Sequence, residues 1–332
     1  MVKKVSLKRI VIKIGTNVLQ QTNGKLDYKL ISELTSQIAR IRSNGHEVLL
    51  VSSGSVGAGR ELFSVDESGN TLASHQILAS VGQAKLIQIY SDSFRKHKTT
   101  VAQILLTRGD FGLRKSYLNI RNTLENLLKY RIVPIVNEND VVATEELDLN
   151  FGDNDLLAVY LATLIGADQL FFLTVAPGLL KEEETAQGKQ SKVVAKVEKL
   201  TEEIIQHCLP FTSAGGKGGM ESKVRSAGMA MSFGIDTYII DGKFPAGVFE
   251  IMEGRPLGTH FVAHGRKIRS YQKWLAAGAL NKGTLIIDQG AEQALLKNKK
   301  SLLAKGVARV EGQFEEKDLV EIHNLEGVKL GV

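Results

Sequence analysis

The sequence predicts an α/β protein in which helices cover both faces of a mainly parallel open sheet, followed by a small β-rich domain. Between Arg9 and Ile240, short apolar runs of strand length alternate with segments whose apolar residues recur at helical spacing. The strand-like runs are apolar at nearly every position, which is typical of strands buried on both faces of a parallel sheet. From about Arg269 the chain changes to short β-like pieces separated by glycine.

Length and composition indicate the class of protein. The 332 residues are typical of about two domains, and the 43% hydrophobic content is sufficient for packed cores. The single cysteine, Cys208, excludes a disulfide framework and indicates a reducing compartment. No apolar run reaches the roughly 18 residues that span a bilayer, and the N-terminus lacks a signal-peptide core. We therefore expect a cytoplasmic protein with no membrane partner.

The predicted strands are short apolar runs at residues 9–14, 48–51, 101–106, 132–136, 169–174 and 236–240, and the run at 236–240 is expected to be the last strand before the β-rich segment. Apolar residues at helical spacing predict helices at 26–41, 77–87, 120–128, 156–166 and 220–232. In the first helix, Asp27 is available as an N-cap and Gly45 as a stop. The polar stretch 181–192 predicts an exposed excursion.

Two segments after predicted strands carry groups that can bind an anion. Lys13 lies near the end of the first strand and precedes Gly15, and the pattern fits a phosphate contact and a charge on an edge strand equally well. Residues 52–59 form a loop of small residues, in which glycines let backbone N–H groups approach an anion. This loop matches neither the P-loop nor the dinucleotide-binding pattern, so by itself it is weak support for a site.

The segment 136–155 is the main candidate site. It holds seven carboxylates and four asparagines directly after a predicted strand, and ligands of open α/β sheets bind at the carboxyl ends of strands. The helix predicted at 156–166 is almost entirely apolar and should be buried. Asp153, Asn154 and Asp155 are therefore expected at its positive end, where a carboxylate can be held rigidly. A solvated, turn-rich loop is the alternative.

A second glycine-rich segment, 213–223, holds four glycines and two lysines at the start of the helix predicted at 220–232. Backbone N–H groups of such a loop and of a helix N-terminus form a cradle for an anion, with Lys223 in the first helical turn. A flexible linker has the same composition and is the alternative.

Five motifs occur in the order found in the bacterial glutamate 5-kinases of the amino acid kinase family, which the chain resembles over nearly its whole length. They are Lys13-Ile-Gly15-Thr16, Val51-Ser-Ser53-Gly54 with Ala58-Gly59-Arg60-Glu61, Val136-Asn-Glu-Asn-Asp140, Gly152-Asp-Asn-Asp155 and Gly218-Gly-Met-Glu-Ser-Lys223. The C-terminal segment, with Asp288-Gln-Gly290-Ala291, Ser301-Leu-Leu303 and Glu311-Gly312-Gln-Phe314, resembles a PUA domain. The resemblance implies an αβα sandwich at 1–260 and a PUA-like domain, shorter than usual, at 275–332.

The resemblance also implies a reaction, the transfer of the ATP γ-phosphate to the γ-carboxylate of L-glutamate. Lys13 and Lys223 are then expected to flank the phosphoryl group, with Asp155 holding both lysines in register. Glutamate is assigned to Ser53, Gly54, Asp140, Asp153 and Asn154. The nucleotide is assigned to Lys13, Gly15, Thr174, Lys217, Gly218, Gly219, Met220 and Lys223. Mg²⁺ is implied because it shields the β and γ phosphates of ATP, and no protein ligand to a metal is assigned.

The resemblance alone implies further partners: assembly as a homo-oligomer (dimer or tetramer), channelling to glutamyl-phosphate reductase, and inhibition by proline. The alternatives are a kinase acting on another carboxylate or a carbamate, and RNA binding through the PUA-like domain. Residues 256–332 hold 12 Lys/Arg against 8 Asp/Glu, a net charge of +4. They lack the interleaved aromatic residues of a single-strand reader, so RNA is not expected as the main partner. Val175 and Lys217 stand where the family pattern has aspartate and threonine.

Overall fold

The computed structural model describes residues 7–65, 71–142, 153–185, 188–206, 219–264, 281–314 and 319–331. The chain divides into two compact units, of which unit 1 comprises Met1–Arg108 and Leu118–Arg269, and unit 2 comprises Gly109–Tyr117 and Ser270–Val332. None of the helices within the described ranges is long and apolar enough to cross a bilayer.

As far as residue 264, the strands are β1 (Arg9–Ile14), β2 (Glu47–Ser52), β3 (Val101–Leu106), β4 (Val133–Glu138), β5 (Gln169–Thr174), β6 (Leu180–Thr185), β7 (Gly188–Val193), β8 (Lys196–Val197), β9 (Asp236–Asp241) and β10 (Thr259–Phe261). The helices are α1 (Thr16–Leu19), α2 (Tyr28–Ser43), α3 (Ser55–Arg60), α4 (Thr71–Arg95), α5 (Arg108–Gly112), α6 (Arg114–Lys129), α7 (Asp153–Ile165), α8 (Glu202–Gln206), α9 (Met220–Ser232) and α10 (Gly247–Met252). All predicted strands and helices of this part are present.

The main sheet has eight strands in the order β3-β4-β2-β1-β5-β9-β10-β8. The six strands from β3 to β9 are parallel, as predicted, and β10 pairs antiparallel with β9. The expectation that residues 236–240 are the last strand of this part is wrong, because β10 follows them, and β10 and β8 extend the sheet beyond β9. These strands contain three and two residues, too few for a periodic pattern in the sequence. The predicted excursion at 181–192 is the β6–β7 hairpin.

Side chains of β1 alternate between the two layers of helices. Ile10, Ile12 and Ile14 belong to a hydrophobic core with α2, the C-terminal half of α4, and α10. Successive strand residues point to opposite faces, so Lys13 lies on the face that α7 covers. Helix α7 is buried nearly all round, which explains its apolar sequence without amphipathic spacing. This arrangement of layers is the predicted αβα sandwich.

Residues 52–59 were expected to form a loop, but most of them form helix α3. Helix α3 packs against α4 at backbone distance: a Cβ atom at Gly82 of α4 would overlap Ser55 O and Gly59 N. The small residues of this segment therefore serve helix packing. Gly54, which precedes α3, has a φ of 109°, a left-handed conformation that favours glycine.

Unit 2 contains a separate four-stranded sheet in the order β12-β11-β13-β14. Its C-terminal elements are β11 (Asn281–Ile287), α11 (Gln289–Leu296), a 3₁₀ turn (Ala304–Gly306), β12 (Val307–Gly312), β13 (Leu319–His323) and β14 (Lys329–Gly331). The expected β-rich character is confirmed. Helix α11 is an addition that the sequence analysis missed, although Asp288 caps it by accepting from Ala291 N at 2.7 Å.

Candidate active site

The polar groups of the candidate site lie at the carboxyl ends of four neighbouring parallel strands of unit 1. Strand β1 ends in Lys13-Ile14-Gly15, β2 leads to Ser53, β4 leads to Asp140, and β5 ends at Thr174. Since these strands run β4-β2-β1-β5 in the sheet, their ends form one continuous edge. This is the edge at which ligands bind in open α/β sheets.

Three charged residues from distant parts of the sequence meet at this edge and are called here the lysine–aspartate cluster: Lys13, Asp155 and Lys223. Lys13 Nζ lies 2.6 Å from Asp155 Oδ1, and Lys223 Nζ lies 3.2 Å from Asp155 Oδ2. Lys13 comes from β1, Asp155 from the first turn of α7, and Lys223 from the first turn of α9. All three are buried, with exposed fractions of 5%, 0% and 6%.

The lysine–aspartate cluster carries two ammonium groups and one carboxylate, so its formal charge is +1. Burial lowers the pKa of Lys13, and Lys223 lowers it further, although the adjacent Asp155 acts in the opposite direction. Burial alone would raise the pKa of Asp155, but the two lysines outweigh it and hold that pKa below its ordinary value. A buried charge is costly unless it is paired, and an excess of ammonium groups over carboxylates within this cluster favours an anionic ligand. The reading of Lys13 as an edge-strand charge is therefore wrong, since β1 is central.

Several residues assigned to the nucleotide lie on or next to the strand and the helix that carry the two lysines. Gly15 N–H donates to Leu173 O at 3.3 Å, and Gly15 lies next to the Lys13 ammonium, since a Cβ at Gly15 would come within 3.9 Å of Lys13 Nζ. Helix α9 begins after Gly219, which supplies no capping side chain, and Met220 is its first residue. Its first N–H groups can therefore bind an anion. Thr174 is half-buried at the end of β5, next to the exposed Val175.

A second group of residues, called here the amide chain, consists of Gln83, Asn137 and Asn154. Asn137 Nδ2 donates to Gln83 Oε1 at 2.9 Å, and Asn154 Nδ2 donates to Asn137 Oδ1 at 3.1 Å. Asn154 Nδ2 also donates to Ser53 Oγ at 3.1 Å, so the structure brings together two residues that were assigned to glutamate. Asn154 Oδ1 is buried and has no hydrogen-bond partner among the described residues.

Asp140 stands beside the start of α3, where its Oδ2 accepts from Ser55 Oγ at 2.9 Å. The other end of α3 is held by Glu61, which accepts from Lys85 Nζ at 2.5 Å, from Tyr28 OH at 2.7 Å and from Leu26 N at 2.5 Å. These contacts fix α3 and, with it, Gly54 at the edge of the site.

Some assigned positions lie outside the described residues. They are Lys217, Gly218 and the side chain of Asp153, although Asp153 itself begins α7. Residues 143–152, the middle of the acidic segment 136–155, also lie outside the described residues. Within the described ranges, no three His, Cys, Asp or Glu side chains come together as a set of metal ligands.

Comparison with known proteins identifies the family. The model of the amino acid kinase family matches residues 8–241. The chain belongs to the amino acid kinase family. The PUA domain model matches residues 283–332 of this amino acid kinase. The two family assignments that the motifs suggested are confirmed.

Curated relatives of this amino acid kinase match along almost its full length. The glutamate 5-kinase of Dehalococcoides mccartyi (strain CBDB1) is 39% identical over 325 residues, which cover 98% of this chain and 87% of that protein. The glutamate 5-kinase of Chlorobaculum tepidum is 40% identical over 327 residues, which cover 98% of this chain and 89% of that protein. The resemblance to glutamate 5-kinases is thereby confirmed.

Two solved structures share the fold of this chain. The UMP kinase from Bacillus anthracis aligns with a TM-score of 0.52 at 14% identity and covers 78% of this chain and 97% of its own. The carbamate kinase from Giardia lamblia bound to AMP-PNP aligns with a TM-score of 0.53 at 18% identity and covers 78% of this chain and 100% of its own. At these identities the likeness shows the fold alone.

Sequence analysis did not assign Gln83, Ser55 or Ser222 to the site. Ser222 Oγ donates to Asp155 Oδ2 at 3.4 Å, and its place next to Lys223 in the motif could have indicated it. Gln83 lies within α4 among residues of ordinary helical spacing, so no local signal marks it.

Proposed function

We propose that this protein transfers the γ-phosphate of ATP to the γ-carboxylate of L-glutamate and produces L-glutamyl 5-phosphate, the first step of proline biosynthesis. The observation that carries the proposal is the lysine–aspartate cluster, a buried group of two ammonium groups and one carboxylate near the carboxyl end of β1. The names of the relatives that align over nearly the whole chain support glutamate as the acceptor.

The chemistry requires charge stabilisation and alignment. A γ-carboxylate oxygen of glutamate forms a bond to the γ-phosphorus as the bond from that phosphorus to the β–γ bridging oxygen breaks, and ADP leaves. The acceptor is already ionised at neutral pH, so no general base is needed. Lys13 and Lys223 stabilise the charge that spreads over the transferring group, and Asp155 acts as a positioning residue that keeps both ammonium groups in place.

ATP and Mg²⁺ fit the residues that are present. The phosphates lie against Lys13, Lys223 and the N-terminus of α9, with Gly15, Thr174, Lys217, Gly218, Gly219 and Met220 as the remaining nucleotide contacts. Both carboxylate oxygens of Asp155 face lysines, so Mg²⁺ would be held mainly by ATP and not by Asp155. Bound there, Mg²⁺ neutralises part of the charge on the β and γ phosphates.

Glutamate binds on the side of the amide chain. Ser53, Gly54 and Asn154 hold its polar groups, Asp140 attracts its ammonium group, and Asp153 lies nearby. The carboxylate of Asp140 favours a free α-amino group over an acylated one, because an N-acetyl derivative has no positive charge to offer.

A hydroxylamine trap tests the reaction. Wild-type protein with ATP and Mg²⁺ is incubated with L-glutamate, N-acetylglutamate, aspartate or carbamate, and ADP release is measured together with hydroxamate formation from the acyl phosphate. We expect hydroxamate with L-glutamate well above all other acceptors. Equal turnover with N-acetylglutamate, or no hydroxamate with glutamate, would contradict the proposal.

The resemblance further supports assembly as a dimer or tetramer, channelling to glutamyl-phosphate reductase, proline inhibition and a cytoplasmic location. We place the domain limits at 1–260 and 275–332, which the family matches at 8–241 and 283–332 support. Light scattering during gel filtration tests the assembly, and limited proteolysis, with first cuts expected at 261–274, tests the limits.

A further inference from the structure

The amide chain has a direction. As the structure has it, both N–H groups of the Asn154 amide are used, one by Asn137 Oδ1 and one by Ser53 Oγ. The group that Asn154 can offer a ligand is therefore Oδ1, a buried acceptor with no partner among the described residues. A buried acceptor without a donor is destabilising, and a ligand that brings an N–H group relieves that cost.

The opposite direction would give the site a different specificity. If all three amides turned over, Asn137 Nδ2 would donate to Asn154, and Asn154 would present its own N–H groups to the ligand. N–H groups suit a carboxylate, whereas an oxygen suits an ammonium group. The direction of the amide chain thus decides which part of a substrate Asn154 can recognise.

We propose that Gln83 sets this direction and is a specificity-determining positioning residue for the α-ammonium group of the substrate; this inference rests on the proposed glutamate kinase function. Asn137 is 2% exposed, and within the described part of the chain its side-chain amide bonds only to Gln83 and Asn154. The acceptor Oε1 of Gln83 therefore orients Asn137, and Asn137 orients Asn154. Asp140 supplies the negative charge for the same ammonium group, and Asn154 Oδ1 supplies a second, directional acceptor.

The fold holds Gln83 in place through its neighbour. Gly82 allows the backbone of α4 to touch Ser55 O and Gly59 N of α3, and a larger residue would push the two helices apart. This close contact between α4 and α3 sets where Gln83, the residue after Gly82, lies relative to the ends of β2 and β4. A long polar side chain on an otherwise ordinary helix thereby reaches the site.

The test compares glutamate with glutarate, which has the same two carboxylates and no amino group. The measured quantity is the ratio of the glutarate Ki, as a competitor of glutamate, to the glutamate KM. In Gln83→Met the glutamate KM should rise and the glutarate Ki should stay nearly constant, so the ratio should fall at least about tenfold, the scale of one lost charge-assisted hydrogen bond. The KM for ATP and kcat should change by less than about threefold, because the lysine–aspartate cluster is untouched.

Two variants complete the experiment. Gln83→Glu has only acceptors at this position, so it should keep the wild-type ratio or exceed it, whereas Gln83→Lys has only donors and should lower the ratio as Gln83→Met does. Gln88→Met, on the same helix, removes a residue that pairs with Asp92 at 2.8 Å on the exposed surface, and serves as the matched control.

The outcomes separate the inference from the function on which it rests. If the wild type makes hydroxamate from glutamate, but Gln83→Met and Gln83→Lys keep the wild-type ratio of glutarate Ki to glutamate KM, then the role of Gln83 is overturned and the proposed function is not. A wild type that makes no hydroxamate from glutamate overturns the proposed function and this inference with it. Equal losses of ratio, kcat and ATP binding in Gln83→Met and Gln83→Glu would mean a merely structural role and would also overturn the inference.

Discussion

Lys13 Nζ lies 2.6 Å from Asp155 Oδ1, and neither residue is more than 5% exposed. Lys223 contacts the other carboxylate oxygen of Asp155, so these three side chains together hold two ammonium groups and one carboxylate. A buried ion pair gains little net stability, since desolvation offsets its attraction. Its retention here is consistent with a functional role, in which the excess charge binds and stabilises a phosphoryl group.

Loss of either lysine should reduce catalysis. Lys13→Ala and Lys223→Ala should each lower kcat by at least about 10², the scale for removal of one group that stabilises transition-state charge. Asp140→Ala should mainly raise the glutamate KM, as loss of a ground-state contact does. Steady-state kinetics measure both effects, with the exposed Lys129→Ala as control. If Lys13→Ala kept kcat within a few-fold of wild type, the phosphoryl-stabilising role would be wrong.

Asp155→Asn should separate binding from catalysis. It removes the carboxylate that pairs with both buried ammonium groups, which should destabilise the free protein by about 3–5 kcal/mol. ATP should bind at least as tightly as to wild type, because the site becomes more positive, while kcat should fall because the lysines lose their common partner. Urea unfolding and calorimetric titration with Mg-ATP measure the two quantities. Weaker ATP binding by a stably folded variant would instead indicate that Asp155 holds the nucleotide or its metal.

Activity should decline at alkaline pH through Lys13. Burial lowers the pKa of Lys13, and the protonated form is the active one, so activity is lost as pH rises through that lowered pKa. A bound phosphate favours the ammonium form and raises the pKa. The alkaline limb of kcat/KM for ATP, which reports the free enzyme, should therefore lie at lower pH than the limb of kcat. In Lys13→Arg, both alkaline limbs should disappear or shift. If the two limbs coincide in the wild type, the assignment of the alkaline limb to Lys13 is wrong.

Gly82→Ala tests the contact between α3 and α4. Alanine is the better helix former by about 1 kcal/mol, so a variant without steric conflict should be more stable. The overlap of a Cβ with Ser55 O and Gly59 N should outweigh this gain and produce a net loss of about 1–3 kcal/mol, with a raised glutamate KM. Urea unfolding measures the loss. Gly331→Ala, where a Cβ has open space, is the control, and a stabilised Gly82→Ala would refute the close contact.

The sequence by itself determined the elements of unit 1 and the order of its motifs. Residues 220–232 were predicted as a helix with the bounds that α9 has, and Asp27 caps α2 by accepting from Leu30 N, as its position suggested. Apolar periodicity is a local property, since it follows from which face of a helix or strand is buried. The five family motifs could be found for the same reason, because each is a short contiguous segment.

Only the tertiary structure decided how these elements combine. Whether Lys13 was an exposed edge charge or a buried site residue depended on β1 lying between β2 and β5, which the local pattern of β1 does not encode. The role of Gln83 depended on Asn137 and Asn154, which reach it from β4 and α7. Such contacts join residues far apart in the chain, and their geometry is set by the packing of whole strands and helices. A single sequence therefore predicts the parts of this site and leaves their pairing to the fold.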